Sequence, residues 1–188
     1  MTPSSLSRIA RMKVALVAIS FASLSAAPVM AQTAKPFEAM SNSAQSLRDS
    51  IVALARAQIG TRYKLGGINP EKGFDCSGLV KFVMSALNLD VPRTAKQQSK
   101  VGLAIVRDTS RLLPGDLLTF GRGKKGVVSH VGIYVGDGRF VQASSAAGRV
   151  VETPLDRPPS PRIKVWRGVR RLLPDDSTSA TIASKGGN

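Results

Sequence analysis

The hydrophobic period of this chain changes near residue 110, and that change limits the folds open to it. Upstream, Leu47, Ile51, Leu54, Ala55 and Ile59 recur at steps of three and four, and so do Leu79, Val80, Val83, Ala86 and Leu87. Each set describes one apolar stripe of a helix. Downstream, residues 116–120, 127–135, 139–143, 149–153 and 163–170 read as strands, separated by short Gly-, Pro- or Asp-bearing turns such as Asp137-Gly138. Helices followed by closely spaced strands predict an α+β arrangement, with N-terminal helices packed on a largely antiparallel sheet of about five or six strands. With 188 residues, 43% of them hydrophobic, the chain can build one domain plus appendages and is too apolar for wholesale disorder.

Local punctuation divides the chain further. Residues 1–31 read as a signal peptide: Arg8, Arg11 and Lys13 precede an apolar stretch, residues 14–27, shorter than a bilayer span, and Val29-Met30-Ala31 offers small side chains for cleavage before Gln32. An uncleaved membrane anchor is the other reading. No Cys lies nearby to carry a lipid, so the expected product is periplasmic or secreted, without stable membrane insertion. Cleavage would take the net charge from +15 to +12. Residues 32–43 read as a linker, 44–173 as the domain, and 174–188, which lack a large apolar cluster, as a disordered tail. Within the domain Gly60 is placed to end the first helix. Gly66, Gly67, Pro70 and Gly73 mark 63–73 as a loop. Asp75 is a good N-cap for the second helix, and Pro92 closes that unit.

The chain has one Cys and one His. That excludes an intramolecular disulfide and any four-ligand Cys/His zinc site, and no metal or other cofactor is implied. Cys76 follows Asp75 directly and so falls in a helix's first turn, where unpaired N–H groups and the helix dipole favour thiolate and could hold an oxyanion. His130 sits mid-strand, where alternation puts Val127, Val131, Ile133 and Val135 on one face and His130, Gly132 and Tyr134 on the other. Gly132, without bulk, would leave room for a cleft beside the imidazole. A buried structural Cys and a structural strand His are the plain alternatives. A lone thiol and a lone base in an exported chain favour nucleophilic catalysis.

Two segments carry a family resemblance. Tyr63-Lys64-Leu65-Gly66-Gly67 followed by Gly73-Phe74-Asp75-Cys76-Ser77-Gly78-Leu79-Val80, and then Leu113-Pro114-Gly115-Asp116-Leu117 with Ser129-His130-Val131-Gly132-Ile133-Tyr134-Val135-Gly136, resemble the NlpC-type cysteine peptidases of bacterial cell walls. The resemblance covers roughly residues 51–172. It implies a papain-like core and hydrolysis of peptidoglycan stem peptides, typically between D-γ-glutamyl and a diamino acid such as meso-diaminopimelate. It also implies Cys76 as nucleophile, His130 as general base and Gln142, where many members have His, as the third polar residue. Tyr63, Asp75 and Ser77 become candidates for lining the oxyanion or substrate site, although capping already accounts for Asp75, and Ser77 lacks the elbow of a serine nucleophile. The same broad fold also admits an N-acetylmuramoyl-L-alanine amidase, an acyltransferase, or a wall-binding or regulatory protein without turnover.

For Gln142 to reach His130, both must project from one sheet face. A plain two-residue Asp137-Gly138 turn pairs Gly136 with Arg139 and turns Gln142 to the wrong face. A three-residue or bulged turn sets Gln142 opposite Gly132, diagonal to His130, and places Gly138 in the left-handed region. Other signals are weaker. The glycine-rich 121–126 segment lacks the features of a phosphate loop and reads as a flexible connection. Arg93 fits a structural ion pair. Arg157, Arg162, Lys164, Arg167, Arg170 and Arg171 crowd the end of the domain, with Arg122, Lys124 and Lys125 in a loop. Only Trp166 is interleaved among them, which argues against nucleic acid and for either an anionic envelope surface or a solvated basic face.

Overall fold

A computed structural model describes residues 36–121, 126–156 and 165–175, all within the unit running from Ala34 to Asn188. The expected signal peptide, the loop cations Arg122, Lys124 and Lys125, the basic residues Arg157, Arg162 and Lys164, and the tail beyond residue 175 lie outside the described residues.

Helix α1 (Pro36–Ala57) begins inside the stretch expected to be a linker. Proline suits the first helical position because the N–H it lacks would be unsatisfied there anyway. Its buried face carries Ala44, Arg48, Ile51 and Ala55, and Ile59, expected on that stripe, lies beyond the helix end and is exposed. The segment expected as loop contains a small hairpin, β1 (Ile68–Asn69) with β2 (Gly73–Phe74), which delivers the chain to α2 (Cys76–Ser85). A four-residue helix α3 (Ala95–Gln98), capped by Thr94, and an edge strand β3 (Leu103–Ile105) follow. Neither was legible, because elements this short owe their form to their neighbours.

The remaining strands are β4 (Leu117–Gly121), β5 (Val128–Gly136), β6 (Arg139–Ser144), β7 (Arg149–Pro154) and β8 (Val165–Arg171). They join β3 in a six-stranded antiparallel sheet ordered β3-β8-β4-β5-β6-β7, so the expected α+β architecture is present. Ile51 and Ala55 of α1 and Leu79, Val80, Val83 and Met84 of α2 pack with Leu117, Val131, Ile133, Val135, Val141, Ala143 and Val150. A second cluster gathers Leu118, Phe120, Tyr134, Phe140 and Val169. Among the described residues no helix is long and apolar enough to cross a membrane.

Two cations are interior, one of them Arg171, which belongs to the basic crowd expected on an exposed face. Arg48 is 3% exposed and donates to the carbonyls of Pro114, Leu173 and Pro174. Arg171 is 5% exposed and grips the buried Asp116 through Nε at 2.9 Å and Nη2 at 2.8 Å, with further partners at Asp175 and the Arg111 carbonyl. Arg171 therefore belongs to the interior, because a buried carboxylate needs a matched cation more than the surface needs another charge.

Candidate active site

Asp75 organises the start of α2. It is extended (φ −91°, ψ 175°), so its carboxylate can turn back on the helix, where Oδ1 accepts the Gly78 N–H at 2.7 Å. Oδ2 accepts the Gly66 N–H at 2.9 Å, and the Arg93 guanidinium spans both oxygens at 2.9 and 2.6 Å. Burial pushes this carboxyl up, but the hydrogen bonds from Arg93, Gly78 and Gly66 and the Arg93 charge outweigh it and hold Asp75 below the usual carboxylate range. Ser77, also buried, shares its hydroxyl with Asp75 at 3.3 Å and Arg93 at 2.9 Å. Two glycines allow this close packing. A Cβ on Gly78 would lie 1.9 Å from the Gly67 carbonyl oxygen, and one on Gly67 would lie 2.1 Å from that of Gly73.

Cys76, half-buried, is therefore the first residue of a firmly capped helix. Tyr63 stands near it. Burial first, then the negative charges of Cys76 and Asp75, push the Tyr63 hydroxyl above its ordinary value, so it stays protonated and able to donate. Arg93 is also within reach of the Cys76 charge, which adds to the larger effect of its hydrogen bond to Asp75 in raising its own pKa.

Helix α2 packs against β5 and β6, the strands that carry His130 and Gln142. His130 is 8% exposed, with the Phe120 ring 5.9 Å away by centroid and Phe120 in turn stacked on Phe140. The space expected beside Gly132 is not a cleft. A Cβ there would lie 2.6 Å from Cδ2 of Phe140, so the glycine admits that ring. The β5–β6 ladder starts with Gly136 opposite Arg139, as a two-residue turn requires, and then passes over Val135, so that Tyr134 pairs with Phe140 and Ile133 with Val141. This bulge resets the parity. Asp137 and Gly138 both take positive φ, 51° and 66°. Gln142 consequently reaches His130, with Oε1 2.5 Å from Nε2, while its own Nε2 donates to the Thr153 hydroxyl at 3.0 Å.

The six expected site residues thus fall into two groups, Tyr63, Asp75, Cys76 and Ser77 at the head of α2, and His130 with Gln142 on the adjoining strands. The NlpC/P60 family model matches residues 60–167, which takes in all of them. The chain belongs to the NlpC/P60 family. It is 45% identical over 95 residues to the gamma-DL-glutamyl hydrolase of Bacillus subtilis, covering 50% of this chain and 22% of that protein. To the murein DD-endopeptidase MepH of Escherichia coli it is 38% identical over 117 residues, 62% of this chain and 42% of that one. An NlpC/P60 family protein from Bacillus cereus superposes with a TM-score of 0.61 at 32% identity, over 68% of this chain and 40% of that structure. The chain thus spans less than half the length of either curated relative.

Within this NlpC/P60 chain, Arg93 makes the structural ion pair expected of it, with Asp75, and so clamps the Cys76 helix cap. Two contributors escaped sequence reasoning. Gln98 is wholly buried and donates to the Ser77 carbonyl at 3.0 Å and the Pro92 carbonyl at 2.7 Å, tying the Arg93 segment to the head of α2. Thr153 supports Gln142. Gln98 sits in the polar run 96–100 and Thr153 beside Glu152, so nothing local marks either as buried or says which partner the fold will bring.

Proposed function

We propose that this chain is an exported peptidoglycan hydrolase, a cysteine endopeptidase that cuts stem peptides at the D-γ-glutamyl–diamino acid bond. The observation that carries the reading is the 2.5 Å contact between Gln142 Oε1 and His130 Nε2, on a strand against which the Cys76 helix packs. An amide oxygen can only accept, so Nε2 carries a proton and Nδ1 keeps the lone pair needed to take the proton of Cys76. The thiolate attacks the amide carbonyl, and the carbonyl oxygen gathers charge near the amide groups that open α2 and the protonated Tyr63 hydroxyl. The imidazolium returns its proton to the leaving amine, and a water molecule, activated by His130, frees the acyl-enzyme. Asp75 and Ser77 hold the helix head and Arg93 rather than the reacting atoms, because the chain itself occupies their polar atoms.

The similarity to a protein named gamma-DL-glutamyl hydrolase supports the bond chosen. Similarity to murein DD-endopeptidases supports a second reading, cleavage of the cross-link between stem peptides. Mass spectrometry of muropeptides, before and after incubation of sacculi with residues 32–188, decides among them. Loss of the stem beyond the γ-glutamyl residue supports the proposal, and conversion of dimers to intact monomers supports the cross-link reading. Released sugar strands would show an amidase, and no product from a chain whose thiol still alkylates would show a wall-binding protein. Export rests on residues 1–31, and its test is the mass of the chain's N-terminus recovered from the envelope fraction. The positive charge of the mature chain suits attraction to an anionic envelope surface.

A further inference from the structure

The two sheets run on into one another. Residues 60–63 lie along the outer edge of β7: Val150 accepts from the Gly60 N–H and donates to the Thr61 carbonyl, Tyr63 donates to the Gly148 carbonyl, and Arg62 stands directly opposite Arg149. On its other side the same segment pairs with β2, Tyr63 against Phe74. Opposed residues in neighbouring strands share a face, and so do residues two apart. Ser144 is opposite Arg149, and Gln142 lies two residues before Ser144. Arg149 and Arg62 therefore stand on the sheet face that carries Gln142. Strand spacing and rise put them roughly 8 and 12 Å from it, backbone to backbone. Lys64 joins them: a Cβ on Gly73 would lie 2.8 Å from Arg62 Cγ and 3.1 Å from Lys64 Cβ, so both stems cover that glycine.

Like charges set directly opposite one another are destabilising. Where Arg56 and Arg139 approach, Glu152 lies between them. Arg62, Lys64 and Arg149 are all exposed, and none has a carboxylate partner among the described residues. The one side-chain hydrogen bond they make there runs from Arg62 Nε to the Lys72 carbonyl, at 3.0 Å. Two guanidiniums on adjoining strands can bracket one carboxylate or hold two. A D-γ-glutamyl bond uses the side-chain carboxyl and leaves the α-carboxyl free. A diamino acid with two carboxyls keeps one free as well.

We propose that Arg149, Arg62 and Lys64 form an anion-reading row that selects stem peptides with free carboxylates over amidated ones. The inference rests on the proposed function for its ligand, and its test separates the two by measuring binding without turnover. The probes are the stem tetrapeptide L-alanyl-γ-D-glutamyl-meso-diaminopimelyl-D-alanine with its carboxyls free, and the same peptide with the glutamyl and diaminopimelyl carboxyls amidated. Calorimetry on Cys76→Ala protein should show the free form binding about tenfold tighter, the scale of two exposed ion pairs. Adding Arg62→Gln with Arg149→Gln should make the two peptides bind alike. Arg149→Gln alone, which removes no hydrogen bond seen in the structure, should close part of the gap. Lys100→Gln with Arg111→Gln, which removes two exposed charges elsewhere, should leave the preference intact. With the thiol restored, the loss should appear in KM and not in kcat. Equal binding of both peptides, binding of neither, or a preference that survives in both arginine variants overturns the inference. So does a preference lost equally in the Lys100 and Arg111 variant, which would reduce the row to net charge. If the active chain cuts neither peptide while Cys76→Ala protein keeps the preference, the proposed function fails and the row stands.

Discussion

Replacing Gln142 with alanine should slow hydrolysis without unfolding the protein. The contact at risk is the 2.5 Å hydrogen bond to His130, which becomes charge-assisted once the ring carries the proton of Cys76. Hydrogen bonds to charged groups contribute about 1.5–3 kcal/mol. At about 1.36 kcal/mol per factor of ten, the loss is roughly 10- to 150-fold in kcat. Gln142 touches the ring and not the substrate, so the loss should fall on the proton-transfer steps and KM should move little. The Thr153 hydroxyl also loses its partner, for about 1 kcal/mol of stability and a few degrees in the thermal midpoint. Gln142→Asn and Gln142→His, which keep a polar group facing the ring, should each lose less than Gln142→Ala. The assay is chromatographic release of stem fragments from purified muropeptides, with circular dichroism to follow melting. An undiminished kcat in Gln142→Ala would defeat the assignment and leave the site a dyad. A loss that appears only in KM would move Gln142 from the proton-transfer step to substrate binding.

Cys76→Ala should abolish hydrolysis with the thermal transition nearly unchanged. In the wild-type protein, alkylation rate against pH should inflect well below the ~8.5 of an ordinary thiol, because Cys76 opens a helix; an inflection at or above that value would mark a structural cysteine. Asp75, held below its usual value, contributes stability that is fully present above about pH 4 and is lost as pH falls through its lower folded-state value. Asp75→Asn should therefore be less stable at neutral pH and lose less on acidification, which thermal melts at about pH 6 and about pH 3 will reveal. Gly78→Ala forces a Cβ to 1.9 Å from a backbone oxygen with no flexible side chain to yield. A loss of about 3 kcal/mol or more in urea unfolding is expected, and an unmoved midpoint would contradict the packing described.

Much of this protein was legible in one dimension. The shift in hydrophobic period marked helices before strands, because 3.6- and 2-residue repeats are properties of the local chain. Asp75 beside Cys76 announced a capped helix start for the same reason, and once the family resemblance had Gln142 reaching His130, index parity required a three-residue or bulged turn. What lay beyond reach depended on neighbours remote in sequence. Gly132 reads as empty space until the Phe140 ring is placed against it. Arg171 reads as surface charge until the buried Asp116 is placed against it. Arg93, Gln98 and Thr153 are ordinary polar residues in the sequence, and their importance comes from hydrogen bonds reaching 18, 21 and 11 residues along the chain. Local conformation follows from each residue's own torsional and capping preferences. Which buried donor finds which acceptor is decided only when the sheet and α2 close on one another and exclude water, so that an unmatched polar group becomes costly.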